Sequence, residues 1–145
     1  MKVIIEEDKN LNDTEVLVRC KTRDDEINRL VQHIRNCKEK LICYEDKTIH
    51  YIEYNDIFYM ESVDNTVFVY LHDRVLETRF KLYELEEKLN SLFFIRCNKA
   101  TILNVAKINC LIPRMNRSIM ASMENGEQVY ISRKYVKVLK EALGV

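Results

Sequence analysis

Apolar and polar residues alternate over short stretches along most of this chain, and turn-forming residues separate the stretches. Between positions 41 and 78 the pattern predicts strands at 41–44, 49–54, 57–62, 67–71 and 75–78, broken at Glu45-Asp46-Lys47, Asp64-Asn65 and His72-Asp73-Arg74. Strands this short and this closely spaced pair as hairpins. The β pattern returns at 93–97, 100–103, 108–112, 118–122 and 128–131, and Glu124-Asn125-Gly126-Glu127 supplies a hairpin turn before the last run. Helical spacing occurs in three places. Ile27, Leu30, Val31, Ile34 and Cys37 share one face after a possible N-cap at Thr22, with Asp24, Asp25 and Glu26 in the first turn, where the helix dipole favours anions. Leu82, Leu85 and Leu89 mark a short helix over 82–89, and Tyr135, Val138, Leu139 and Ala142 form the apolar face of a helix over 134–143, with Lys134, Lys137 and Lys140 facing out.

Near the start, 3–6 and 15–20 read as two further β-prone runs around a polar turn at 8–13. The fold class is therefore mainly β with short helices at its edges. It divides into a small strand-strand-helix segment over 1–46, with a dimerisation or regulatory role, and a β domain over 47–145. There is no internal repeat.

Composition narrows the class. In 145 residues, 47% are apolar and 32% charged, with two Gly and one Pro, which excludes a disordered or collagen-like chain. No apolar run approaches a membrane span, and Met1-Lys2-Val3-Ile4-Ile5 turns acidic at Glu6-Glu7-Asp8, unlike a signal peptide, so a cytoplasmic protein without membrane insertion is expected. Cys20, Cys37, Cys43, Cys97 and Cys110 are odd in number and include no C-x-x-C pair, which argues for buried thiols rather than disulfides or zinc.

The net charge of zero conceals a polarity. Residues 1–50 carry 10 basic and 11 acidic side chains, residues 51–95 carry 4 and 9, and residues 96–145 carry 9 and 3. A basic end suits a polyanionic partner, or it is a solvated face that keeps the protein soluble.

Two constellations give the basic end a chemistry. If Phe93, Ile95 and Cys97 face the core, Arg96 and Asn98 point away from it and Lys99 lies in the following turn, so three donors share one tip. Asn reads adenine bidentately, Arg reads guanine or clamps phosphate, and Lys supplies a mobile charge. The second constellation is Ser132-Arg133-Lys134 at a strand-to-helix junction, where Ser132 can cap the helix and Arg133 opposes the helix dipole unless it meets an anion. A plain polar hairpin end and a carboxylate partner for Arg133 are the structural alternatives.

The ordered set Glu61-Ser62-Val63-Asp64-Asn65-Thr66-Val67, Thr78-Arg79-Phe80-Lys81-Leu82-Tyr83-Glu84-Leu85-Glu86, Phe94-x-Arg96-x-Asn98-Lys99-Ala100-x-Ile102-x-Asn104, Asn125-Gly126 and Ser132-Arg133-Lys134-Tyr135 resembles the LytTR family of bacterial DNA-binding domains over roughly 47–143. The resemblance implies an elongated fold of stacked small antiparallel sheets whose loops, rather than a recognition helix, enter successive major grooves of double-stranded DNA. It implies a role in transcription regulation. Matched by position, the base-reading sites fall on Asp64, Asn65 and Thr66, on Lys99, and on Arg133. Asn98 is expected to assist, with Arg96, Lys134 and Lys137 on phosphates. Asn98 stands where family members commonly have His, Ala100 where they have Ser, and the first loop is shorter than in some members.

The 46 residues ahead of the resemblance are too few for a phosphoacceptor receiver domain, so the chain is similar to short stand-alone regulators controlled by a partner protein. A homodimer on paired sites is expected from the usual symmetry of regulators. Catalysis finds no support: His33, His50 and His72 are isolated, no nucleophile elbow or phosphate loop occurs, and no cofactor, metal or small-molecule substrate is implied. Cys97, beside Arg96 and Lys99, is the one thiol that could be activated for redox sensing. The rival to DNA binding is an interaction module whose basic end meets an acidic or membrane-protein partner.

Overall fold

The computed structural model describes residues 1–36, 39–89 and 93–145. Helix α1 (Asp25–Asn36) is followed by β1 (Lys40–Glu45), β2 (Thr48–Glu53), β3 (Tyr59–Val63), β4 (Thr66–Tyr70) and β5 (Val75–Thr78). Helix α2 (Leu82–Lys88) leads to β6 (Phe94–Asn98), β7 (Thr101–Asn104), β8 (Ile108–Pro113), β9 (Ile119–Met123), β10 (Gln128–Ile131) and α3 (Val136–Leu143). The strands make two antiparallel sheets, one of seven strands in the order β2-β1-β5-β4-β3-β7-β6 and one of three in the order β10-β9-β8.

Two hydrophobic cores lie on opposite faces of the larger sheet. One gathers Leu41, Met60, Val69, Leu76, Phe94 and Ile102 with Leu82, Leu85 and Leu89 of α2. The other joins Tyr59, Ile95, Cys97 and Leu103 to Ala121, Met123 and Ile131 of the smaller sheet and to Leu139 of α3. Adjacent residues of a strand point to opposite faces, so β3, β6 and β7 are buried on both sides: Tyr59 and Met60, Phe94 and Ile95, and Ile102 and Leu103 each split between the two cores. This double burial explains why each of these strands carries two adjacent apolar residues. Phe93, Ile95 and Cys97 pack on the second core, Phe93 only partly buried, while Phe94 joins the first.

Several expectations are corrected. No strand forms at 3–6 or 15–20, where Val3, Ile4, Ile5, Val16 and Leu17 are exposed, because β propensity without a ladder partner and a covered face does not hold a strand. The N-cap of α1 is Asp24, whose Oδ1 accepts from the Ile27 N–H at 2.9 Å, rather than Thr22. Cys37, placed on the same helical face, lies outside the described residues. On α3, Val138 is exposed, and Val136 and Leu143 pack with Tyr135 and Ala142 instead. Strand β1 pairs along its length with β2 and meets β5 through Tyr44 and Glu77, so it is part of the larger sheet.

One buried polar side chain pins the β7 end to the connection before β3. Asn104 donates from Nδ2 to the Ile57 carbonyl at 2.8 Å and accepts from the Ala106 N–H at 3.0 Å, while its own N–H donates to Phe58 O at 2.9 Å. Asn104→Ala strands the buried Ile57 carbonyl, so a loss of about 1–3 kcal/mol is expected. The check is the urea midpoint at constant slope; an unchanged midpoint would show that these bonds contribute nothing net.

Candidate nucleic-acid interface

Three chain segments meet at one end of the two sheets. Asp64 and Asn65 close the β3–β4 hairpin with φ of 50° and 65°, the left-handed conformation that short polar side chains tolerate and that a two-residue hairpin turn requires. The β6–β7 turn over 98–101 lies beside it, because Ser62 N–H donates to Ala100 O at 2.8 Å. The Ser132 segment lies on the other side, because Ser132 N–H donates to Cys97 O at 2.9 Å. The middle turn is thus bonded to both neighbours, and the three form a row.

The Ser132 hydroxyl does not cap the helix. A 3-10 turn over Arg133–Tyr135, closed by Tyr135 N–H on Ser132 O at 2.9 Å, precedes α3. Ser132 is anchored through its backbone, and Arg133 is left exposed at the turn.

The tip of β6 departs from simple alternation. Arg96 pairs with Ile102 but Asn98 pairs with Thr101, so one extra residue is inserted around Cys97. Such a bulge re-aims the side chains that flank it. Arg96 and Asn98, expected on one side, turn to different partners. Arg96 reaches toward α2, where Nη1 meets Glu86 Oε2 at 2.7 Å, and folds back to donate from Nε to Asn98 O at 2.9 Å and from Nη2 to Lys99 O. Asn98 faces β10: its Nδ2 donates to Tyr130 O at 2.9 Å, and its Oδ1 accepts from the Ala100 N–H at 2.9 Å. Both side chains are thus bonded within the protein.

The exposed cations are elsewhere on the same end. Lys99, Arg133 and Lys137 are exposed, with no hydrogen bond or ion pair of their charged groups among the described residues, and Lys134 Nζ sits 5.4 Å from the centre of the Tyr135 ring. Thr66 is half-buried at the foot of the first turn. Lys81, which sequence reasoning did not single out, brings its Nζ to 3.4 Å from the Asn65 carbonyl and so joins the row. Arg114 and Arg117 were also missed. They flank the β8–β9 connection, and the pairing of Ile119 with both Pro113 and Ile131 puts that connection at the same end as Ser132. Their only sequence signal is that they are basic residues in a break between strands; the register decides their placement.

The turns at the opposite ends of the hairpins carry Glu45, Asp46, Asp73, Glu124 and Glu127 together with Lys47, Arg74 and Lys107. That end carries more acidic than basic side chains, so the cations of the row stand at the end that attracts an anion. Cys97 itself is fully buried behind the tip, its thiol pushed up by burial to about 12 despite the nearby Arg96 guanidinium. That overturns an activated thiol at this site, since reactivity requires the thiolate. Among the described residues no group of His, Cys, Asp and Glu is arranged to hold a metal ion, and no helix is long and apolar enough to cross a membrane.

Comparison with known proteins agrees with this geometry. The family model described as the LytTr DNA-binding domain matches residues 47–144. A solved LytTr DNA-binding domain of a response regulator from Bacillus cereus superposes with a TM-score of 0.70 at 26% identity, covering 74% of this chain and 99% of that one. An uncharacterized HTH-type transcriptional regulator of Staphylococcus aureus strain NCTC 8325 is 27% identical over 140 residues, 94% of this chain and 95% of the relative. Another, from strain MSSA476, is 31% identical over 105 residues, 72% and 71% of the two chains. The described residues here contain no two α-helices consecutive along the chain, so the helix-turn-helix of those names has no counterpart in this fold.

The thiols offer a direct check of the site. In a Cys37→Ser variant, a thiol reagent at pH 8 is expected to label Cys20 and Cys110, both exposed, while Cys43 and Cys97 stay protected until denaturant is added. Rapid native labelling of Cys97 would show that the tip is open and the bulge wrongly placed.

Proposed function

We propose, on the premise that the chain belongs to the LytTr DNA-binding domain family, that it is a sequence-specific transcription regulator whose row of turns enters the major groove of double-stranded DNA. A DNA-binding family, not an enzyme family, is the setting for this reading. The observation that carries it is the bonding of the end of β6 and its turn to the β3–β4 hairpin through Ala100 O and to the Ser132 segment through Cys97 O, which puts separate parts of the chain on one edge. A helix is not needed in the groove if turns supply the donors at fixed spacing.

In this arrangement Arg133 and Lys99 read bases, with Asp64, Asn65 and Thr66 of the first turn beside them. Lys134 and Lys137 contact phosphates, joined by Lys81, Arg114 and Arg117. Phosphate contacts set register and base contacts set sequence. Asn98 and Arg96 act within the protein, as their bonds indicate. The regulator acts in the cytoplasm as a homodimer on paired sites, and a partner protein bound through the 1–46 segment controls it. The role in transcription is supported by the Staphylococcus aureus relatives, which are transcriptional regulators by name.

The test is fluorescence anisotropy against a duplex enriched from a random library and a scrambled control, over a salt series. Binding about 1000-fold tighter to the enriched duplex is expected. Arg133→Ala should cost about 1–3 kcal/mol on the enriched duplex and relax its sequence preference. Lys137→Ala should weaken both duplexes alike and reduce the salt slope by about 1. Salt-independent association, or none at low salt, would favour an interaction module that binds an acidic protein instead.

A further inference from the structure

We infer that Arg96 and Glu86 form a positioning pair that sets the shape of the DNA-reading tip, rather than a phosphate contact and a bystander carboxylate. The inference rests on the DNA-reading function proposed above and adds to it the residues that hold the reading atoms in place.

The geometry at Arg96 shows what the guanidinium does. Its side chain is 20% exposed, and it spends donors on three acceptors at once: Glu86 Oε2, Asn98 O and Lys99 O. Two of these are consecutive backbone carbonyls of the turn that carries Lys99. The planar fork of Arg can hold two such carbonyls in a fixed relation where a Lys ammonium cannot. Glu86, on α2, takes a donor from the opposite edge of the guanidinium. It orients the fork while α2 is itself held in the first core by Leu82, Leu85 and Leu89.

Asn98 completes the arrangement from the other side. Its amide closes onto Ala100 N–H and reaches Tyr130 O of the smaller sheet, two residues before the Ser132 segment. The Lys99 turn is therefore clamped between α2 and β10. The distance between Lys99 and Arg133 is fixed by bonds within the protein before any DNA arrives, and that preorganisation lowers the ordering cost of binding.

A positioning role and a phosphate role predict opposite results for Glu86. Removing a carboxylate beside a DNA contact relieves repulsion and would strengthen binding to any duplex. Removing the support of Arg96 would instead loosen the turn and blunt discrimination. Glu86 is 48% exposed, so Glu86→Gln is compatible with folding.

The experiment measures Glu86→Gln, Arg96→Lys and Arg96→Gln against wild type, with the library-enriched duplex, the scrambled duplex and a salt series, and with thermal unfolding as the folding control. Glu86→Gln and Arg96→Lys are expected to lose about tenfold in the ratio of enriched to scrambled affinity, the scale of one base contact, at unchanged affinity for the scrambled duplex, and all three variants are expected to keep the wild-type salt slope. If Arg96→Lys proves unfolded, Glu86→Gln carries the test alone. The inference is overturned if Glu86→Gln keeps the wild-type ratio or tightens both duplexes, or if Arg96→Gln lowers the salt slope by about 1 as the loss of a phosphate contact requires. Failure of wild type to enrich any sequence overturns the DNA-reading function itself, and this inference with it, before any variant is compared.

Discussion

Tyr59 and Met60, Phe94 and Ile95, and Ile102 and Leu103 are neighbours in sequence that sit in different cores, and this burial of three adjacent strands on both faces constrains everything around them. A sheet covered on both sides needs a cover for each. Helix α2 supplies one, and the β8–β10 sheet with α3 supplies the other. Because β6 lies between the two covers, a polar side chain near its end has no open side to point into. Arg96 and Asn98 consequently find partners on opposite covers, Glu86 and Tyr130 O, and not in solvent.

The same constraint gives the functional edge its rigidity. The Lys99 turn is tied to β3 through Ser62 and Ala100, and its base to the Ser132 segment through Cys97 O. The extra residue at Cys97 shifts the register before the closing Asn98–Thr101 pair, and burial keeps that thiol protonated and inert. Fixed turns and exposed cations therefore share one edge. In the proposed complex with DNA, the turns would supply geometry that a helix supplies in other DNA-binding folds, and the cations Lys99, Arg133 and Lys137 would supply the field.

Much of the fold was legible because its signals are local. Strand β5 was expected over the residues where it occurs, the Asp64-Asn65 turn follows from two residues that tolerate positive φ between alternating runs, and α2 follows from three leucines at helical spacing. Local signals misled where partners were missing. The runs 3–6 and 15–20 have strand composition without a strand to pair with, and Val138 has the right spacing but faces out of the second core. Within the site, Lys99, Arg133 and Lys137 were recognisable as basic residues at turns and a helix start. Lys81, Arg114 and Arg117 were not, since only strand register brings their connections to the same edge.

By itself the sequence determined the elements, the mainly β class, the polarity of charge and, through an ordered set of motifs, the family. Those depend on spacing, turn chemistry and residue type, which are properties of adjacent positions. Tertiary structure alone decided which face each end of β6 presents. One inserted residue at Cys97 reverses the outlook of Asn98 relative to Arg96, and alternation read along a single strand carries no trace of an insertion defined only against the strand beside it.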